Sequence, residues 1–306
     1  MLICWNKMTD INSHNNSEDV PLRPRPVVLL LLDGWGIAPA SDANAIASVK
    51  TPAFFSLIKH YPVATLDPQN MSLNDRYFIL GSGQSLVEES FRPSVTLSGL
   101  ISSAGLKQMK ITESERLAAL THFFNGRSDN KMAGEESKIL SSETNNYAAQ
   151  SRLTTLRLTR EIIKAISGEN FDFIVAVIPT LDLAAASGDS EATKTAVMAV
   201  DKSLKKIVGS VLDKKGAVVI SATGGNAEKI KDLGMDMVDK EMTSNPVPLI
   251  IISEGLKGKT IGLAEPLNND LSLLKPAGTL ADLAPTILRI MQLDVPADMT
   301  GHSLIN

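Results

Sequence analysis

The stretch Val27-Val28-Leu29-Leu30-Leu31-Leu32-Asp33-Gly34-Trp35-Gly36 sets a single carboxylate directly after six aliphatic residues. Such a run reads as a strand buried on both faces, the pattern of a parallel sheet covered by helices. The end of such a strand is where open α/β sheets hold their ligands. Asp33 has two chemical uses there. It can coordinate a divalent cation, which requires further carboxylate or imidazole donors. It can also cap the turn after the strand, with Gly34 and Gly36 supplying unusual backbone angles. Donors for the first use are scarce. The histidines are His14, His60, His122 and His302, and none lies just beyond the strand candidates Phe173–Ile178 and Ala217–Ser221. The single cysteine, Cys4, excludes a cysteine-rich metal cluster. Gly81-Ser82-Gly83-Gln84-Ser85 offers backbone N–H groups to a phosphate, but so short a run reads better as a linker.

The elements that must position Asp33 alternate along the chain. Apolar strand candidates are Val27–Leu32, Phe173–Ile178, Ala217–Ser221 and Pro248–Ile252, with weaker ones at Gln108–Ile111 and Thr121–Phe124. Helical patterns fit Thr51–His60, Val95–Ala104, Glu113–Leu120, Thr154–Ser167, Ser190–Leu212 and Thr279–Met291. Pro52 suits a helix start, and Thr279 can cap the last helix. This order predicts an α/β protein, a three-layer α/β/α sandwich with a mostly parallel sheet. Asp67–Pro93 and Asn125–Asn146 are polar and irregular and read as loops.

A chain of 306 residues suffices for one such domain, expected over 26–306. Residues 1–25 read as a disordered tail without the features of a signal or transit peptide. The composition, 43% hydrophobic and 21% charged, is that of an ordinary globular protein. A net charge of −4, with both signs interspersed, gives no field for nucleic acid and no polybasic membrane anchor. No apolar run reaches membrane-spanning length. One cysteine fits a reducing cytoplasm.

The chain resembles the metal-binding domain of the cofactor-independent (2,3-bisphosphoglycerate-independent) phosphoglycerate mutases, within the alkaline phosphatase superfamily. The resemblance rests on ordered segments spanning residues 26 to 305. They are Pro26 to Gly36, Asn44-Ala45-Ile46-Ala47 with Thr51-Pro52, Ala104 to Gln108, Thr112-Glu113-Ser114-Glu115, and Phe123-Phe124-Asn125-Gly126. Gly225-Asn226-Ala227-Glu228-Lys229, Asn245-Pro246-Val247-Pro248 and Leu280 to Leu288 through Met299-Thr300-Gly301 continue the match. The resemblance implies an alkaline-phosphatase-like fold. It also implies a two-metal mechanism in which a serine carries the phosphoryl group between glycerate oxygens, with an inserted domain holding substrate.

The chemical positions depart from that pattern. Asp33 and Asp182 stand where two metal-binding aspartates are implied. The histidine implied four residues after Asp182 is Ala186, and the implied Asp-His pair is Thr223-Gly224. Another implied histidine has Met242 as its nearest equivalent, and an implied lysine is Arg116. The serine motif is absent, and residues 67–93 form a short segment in place of the inserted domain. Methyl, glycine and methionine side chains are poor replacements for imidazole and carboxylate.

Asp182 reads equally as a turn cap or the partner of a lysine. Arg116 is either an anion holder or an exposed helix arginine. Ser72 and Ser85 lack a base to activate them, and Met235 and Met237 read as packing. The expectation is therefore a phosphoglycerate-mutase-like pseudoenzyme without a cofactor, having a binding or structural role. A protein partner, or residues 67–93 themselves, would cover a crevice at the sheet end made apolar by Ala184, Ala185, Ala186 and Met242. The alternative is an active mutase or metal-dependent phosphatase that uses manganese or another divalent metal at an unrecognised site. A metal-free sensor of an anionic ligand near Gly34–Gly36 is a third reading.

Overall fold

The computed structural model describes residues 23–85, 88–142, 147–232, 237–238 and 242–305. Most of the expected tail, residues 1–22 with Cys4 and His14, lies outside them, as does Met235; of Met237 only the backbone is described.

The strands in chain order are β1 (Val27–Leu31), β2 (Val63–Asp67), β3 (Gln108–Glu113), β4 (Glu135–Leu140), β5 (Phe173–Val177) and β6 (Ala217–Ser221). They continue with β7 (Lys231–Asp232), β8 (Met237–Val238), β9 (Val247–Ile252) and β10 (Gly278–Thr279). β7 and β8 pair only with each other, while the other eight form one sheet in the order β10-β2-β9-β6-β1-β5-β3-β4. Within that sheet β9 alone is antiparallel to its neighbours, β2 and β6, and every other pairing is parallel. The four strongly apolar runs became β1, β5, β6 and β9, buried at every residue. Burial on both faces accounts for their lack of polar alternation.

The helices are α1 (Pro52–His60), α2 (Leu73–Ser82), α3 (Leu97–Ser103), α4 (Tyr147–Ser167), α5 (Thr180–Ala186), α6 (Ser190–Leu212) and α7 (Leu283–Ile290). They pack as two groups, α1 with α4, α5 and α6, and α2 with α3 and α7, which supply the outer layers of the sandwich. Pro52 opens α1. The α1 amides of Ala53 and Phe54 are met by the Asp201 carboxylate of α6, at 3.3 and 2.8 Å. This carboxylate takes the role of an N-cap side chain. Asp189 caps α6 through the amide of Ala192. Thr279 and Asp282 form a reciprocal capping box before α7.

Two segments expected to be loops contain elements. Residues 67–93 carry α2, capped by Ser72 and closed by Gly83 in the left-handed region. Every residue from Arg76 to Ser82 is buried, so α2 lacks the polar face that makes a helix legible. Residues 125–146 carry β4, an edge strand whose Glu136, Ser137 and Lys138 face solvent. Glu135 of β4 pairs with buried Lys110 of β3 at 3.1 Å, and Asn125 accepts from the same ammonium at 2.6 Å. The helix expected at Glu113–Leu120 is replaced by the end of β3, a 3₁₀ turn at Ser114–Arg116 and a π-helical turn at Ala119–Phe123. The strand candidate Thr121–Phe124 falls in that last turn.

α2 lies directly on the π-helical turn. A Cβ added at Gly81 would stand 2.0 Å from the Phe124 carbonyl oxygen. Gly81→Ala should therefore force the two elements apart and lower stability by about 1–3 kcal/mol or more. Urea unfolding would read this, and an unchanged midpoint would refute the close packing of α2.

Candidate functional site

Parallel strands end on the same side of a sheet, so β6, β1, β5 and β3 deliver their following residues to one place. Asp33 follows β1, Asp182 lies in the first turn of α5 after β5, Arg116 follows β3, and Thr223 and Asn226 follow β6. Gly34 makes the approach of β1 and α5 possible. It has φ +91°, and a Cβ there would lie 2.6 Å from the Asp182 nitrogen. The Asp182 amide donates to the Asp33 carbonyl at 3.0 Å.

Arg116 joins the two carboxylates. Its Nε donates to Asp33 Oδ2 at 3.0 Å and its Nη2 to Asp182 Oδ2. All three residues are buried. Tyr77 of α2 donates its hydroxyl to Asp33 Oδ2 at 2.8 Å, and Thr223 Oγ1 donates to Asp33 Oδ1 at 2.7 Å. Asn226 Nδ2 donates to Asp182 Oδ1 at 2.8 Å. Burial opposes the Arg116 charge, but Asp33 and Asp182 outweigh it and push its pKa above the usual range. Burial, reinforced by Asp33, pushes the Tyr77 hydroxyl well above its ordinary value, so it stays protonated as a donor. Burial also raises the Asp182 carboxyl, against Arg116 and Asn226, which favour its charged form.

A second arginine fills the adjoining space. Arg76 of α2 donates to the carbonyls of Thr223, Gln69 and Thr243 at 3.3, 2.9 and 3.2 Å, and its Nη1 lies 3.9 Å from Met242 Sδ. A Cβ at Gly224 would stand 2.0 Å from Arg76 Nη1, so the glycine makes room for the guanidinium. Burial lowers the Arg76 pKa, opposed chiefly by Asp33 and Asp182. Nearby Glu228, also buried, accepts from Thr243 Oγ1 and from Asn245 Nδ2.

The structure thus brings Asp33, Asp182, Arg116, Thr223 and Gly224 together, with Met242 at the edge. Ala186, at the end of α5, is half-buried and carries no ligating atom. Asp182 pairs with an arginine where a lysine was one expectation. Arg116, open between anion holder and exposed arginine, holds the protein's own carboxylates. The site is polar and filled, not the apolar crevice expected from Ala184, Ala185, Ala186 and Met242.

Ser72 is an exposed helix cap bonded to Asp75, and Ser85 bonds Thr300. Neither serine contacts Asp33 or Asp182. Gly81 and Gly83 belong to α2 and its cap and form no phosphate cradle. His60 bonds its own helix, His122 pairs with Asp129 at 2.6 Å, and His302 is exposed. Among the described residues no three His, Cys, Asp or Glu side chains gather as metal ligands. With both aspartates engaged by one guanidinium and no imidazole near them, the donor set does not fit a pair of divalent metals.

Sequence reasoning missed Arg76, Tyr77, Asn226 and Glu228 as site residues. The last two lay within a quoted motif. The first two sat in a segment read as a loop, where a lone arginine beside a tyrosine carries little signal.

The model for the family described as the Metalloenzyme superfamily matches residues 25–295. The chain belongs to the Metalloenzyme superfamily. A 2,3-bisphosphoglycerate-independent phosphoglycerate mutase from Clostridium perfringens (strain SM101 / Type A) is 34% identical over 224 residues, covering 72% of this chain and 41% of that protein. One from Vibrio cholerae serotype O1 (strain ATCC 39541 / Classical Ogawa 395 / O395) is 35% identical over 205 residues, covering 67% and 37%. The chain therefore spans well under half the length of these relatives. The phosphoglycerate mutase of Leishmania mexicana, solved at low cobalt concentration, superposes with a TM-score of 0.57 at 23% identity, over 70% of this chain and 39% of that one. The TAB5 alkaline phosphatase, in its His 135 Glu mutant with Mg bound in the M3 site, gives a TM-score of 0.56 at 10% identity, over 89% and 99%. These likenesses bear out the alkaline-phosphatase-like α/β fold.

Two predictions follow from the geometry. Arg116→Ala would leave two carboxylates buried without a cation, at a cost of about 3–5 kcal/mol. Adding Asp33→Asn and Asp182→Asn to it should recover a good part of that loss in urea unfolding. A cost below about 1 kcal/mol would mean the ion pairs do not hold the strand ends.

The turn that delivers Arg116 is anchored by Glu113, whose Oε2 accepts from Ser142 Oγ at 3.2 Å while Oε1 has no hydrogen-bond partner among the described residues. Burial pushes this carboxyl up to about 7. The folded state favours its neutral form, so this contribution is whole below about pH 4.5 and is lost as pH rises through about 7. Allowing for water's access to the group, Glu113→Gln should remove roughly 1–2 kcal/mol of that decline. An unaltered pH profile of stability between 4.5 and 8, measured on variant and parent, would refute the assignment.

Proposed function

We propose that this chain is a phosphoglycerate-mutase-like pseudoenzyme whose metal position has been taken over by its own arginine, leaving a binding or structural role. The observation that carries the reading is Arg116 between Asp33 and Asp182. A guanidinium there supplies the positive charge the carboxylates need, but it has no vacant orbital to polarise a phosphoryl oxygen or acidify a nucleophile. Thr223, Gly224 and Ala186 offer no imidazole to compete with it.

α2 supports the version of this reading in which residues 67–93 plug the strand ends. It brings Tyr77 onto Asp33 and Arg76 over Gly224, leaving little for a partner or anionic ligand to grip at that face. No helix of the described residues is long and apolar enough to cross a membrane, and the cytoplasmic assignment is part of this proposal. An active mutase or phosphatase, with manganese or a similar metal, remains the competing reading, drawn from the relatives' names.

The test is turnover of 3-phosphoglycerate by the purified chain with added manganese, cobalt or magnesium, alongside thermal unfolding. No turnover is expected. A ligand present at 100 times its dissociation constant would add about 2.7 kcal/mol, or several degrees at roughly 2–4 °C per kcal/mol. Millimolar metal should give less than this. Turnover above background that disappears in Asp33→Asn would restore the enzyme reading.

A further inference from the structure

The outer surface where α4 meets α6 is a groove of about 980 Å³. Its bed is apolar, formed by Leu156 and Ile163 of α4 and Met198, Ala199 and Gly209 of α6. Leu156 and Met198, long hydrophobic side chains, are 37% and 39% exposed. Its rim is basic, with Arg152 on one side and Lys202, Lys205 and Lys206 on the other, all exposed. None of these four cations is in an ion pair among the described residues. Asp201, next to Lys202, turns its carboxylate to the α1 amides, and Asp213 is the acidic residue at the far end. In a chain of net charge −4 this is a local excess of positive charge.

Gly209 is the most telling residue of the groove. It lies within α6, its φ is not positive, and a Cβ built on it meets nothing within 4 Å. Neither backbone conformation nor packing requires glycine there, and glycine weakens a helix relative to alanine. The missing side chain leaves the surface of α6 open at that point.

We propose that this groove docks an acidic amphipathic helix of a partner protein. From Thr195 to Ser210 the α6 wall is about 22 Å long at 1.5 Å per residue, room for about four turns of a third helix. A helix seated between two others buries an apolar stripe at i, i+3, i+4 and i+7 in the bed. Its outer acidic residues would then meet the basic rim, which favours encounter and fixes orientation. A groove between two helices offers a helix closer contact than it offers a flat membrane surface. The groove shares no residue with the Arg116 cluster, so this proposal does not depend on the loss of catalysis.

The experiment uses the full chain and a panel of synthetic 18-residue amphipathic peptides, with Leu or Met on one face and Glu on the other. Fluorescence anisotropy reads the binding, and hydrogen exchange reads protection. Expected is saturable binding that slows exchange in Arg152–Ile163 and Thr195–Ser210. It should weaken roughly tenfold or more in Gly209→Trp, and equally in the triple variant K202E/K205E/K206E. Peptides with Leu replaced by Ser should not bind. The charge-reversed variant keeps the test decisive if Gly209→Trp perturbs folding. The proposal is overturned by no saturable binding across the panel or by binding that both variants leave intact. It is also overturned by preference for phosphatidylglycerol vesicles over every peptide, or by self-association of the chain that Gly209→Trp abolishes.

Discussion

One cation shared by two buried carboxylates sets the constraint on the sheet's chemical end. Asp33 and Asp182 are carried there by β1 and by the turn after β5, whatever else the chain does. Two carboxylates cannot both stay charged in a dry interior without a counter-ion. Arg116 meets that requirement with directed hydrogen bonds, and Tyr77, Thr223 and Asn226 satisfy further oxygen lone pairs. The result is a connected polar network around the two acids, although Asn226 Oδ1 and Arg76 Nε have no hydrogen-bond partner among the described residues. α2 is tied into this arrangement through Tyr77, and the β6 turn through Thr223 and Asn226. The ends of the central strands are therefore held by charge as well as by the aliphatic core beneath them.

The fold was legible because the central strands announce themselves. β1, β5, β6 and β9 are runs of aliphatic residues with no polar alternation, and burial on both faces requires that composition. α6 was legible from end to end because an aspartate caps it and its inner face repeats with helical period. β2 and α5 escaped because each is only a few residues long, and the other elements that escaped were those where tertiary context overrides local pattern. α2 is buried nearly all round, so its residues resemble neither an amphipathic helix nor a strand. β4 is an edge strand whose exposed charges read as loop. The turn after β3 winds in 3₁₀ and π geometry, for which a sequence carries no clear period.

The site was half legible. Asp33 stood out because a carboxylate ended an apolar strand, and the absence of histidines from the expected positions could be read directly. That Arg116 enters the interior could not. From sequence alone an arginine in a polar segment is as well exposed as buried, and only the register of β3 beside β5 brings it between the two aspartates. Arg76 and Tyr77 were hidden for the same reason as their helix. The crevice was expected to turn apolar once its ligands were gone. Buried carboxylates forbid that outcome, because Asp33 and Asp182 have to be neutralised by something.

Arg116 also bears on which substitutions the chain can tolerate. A single substitution removing it would strand two negative charges and loosen the strand ends. A histidine introduced at Gly224 would meet the Arg76 guanidinium. A metal centre at these positions would need several replacements together, since removing the arginine alone costs stability. The arginine acts as a latch. Because it neutralises both acids without an ion, selection on folding alone would be enough to keep it in place.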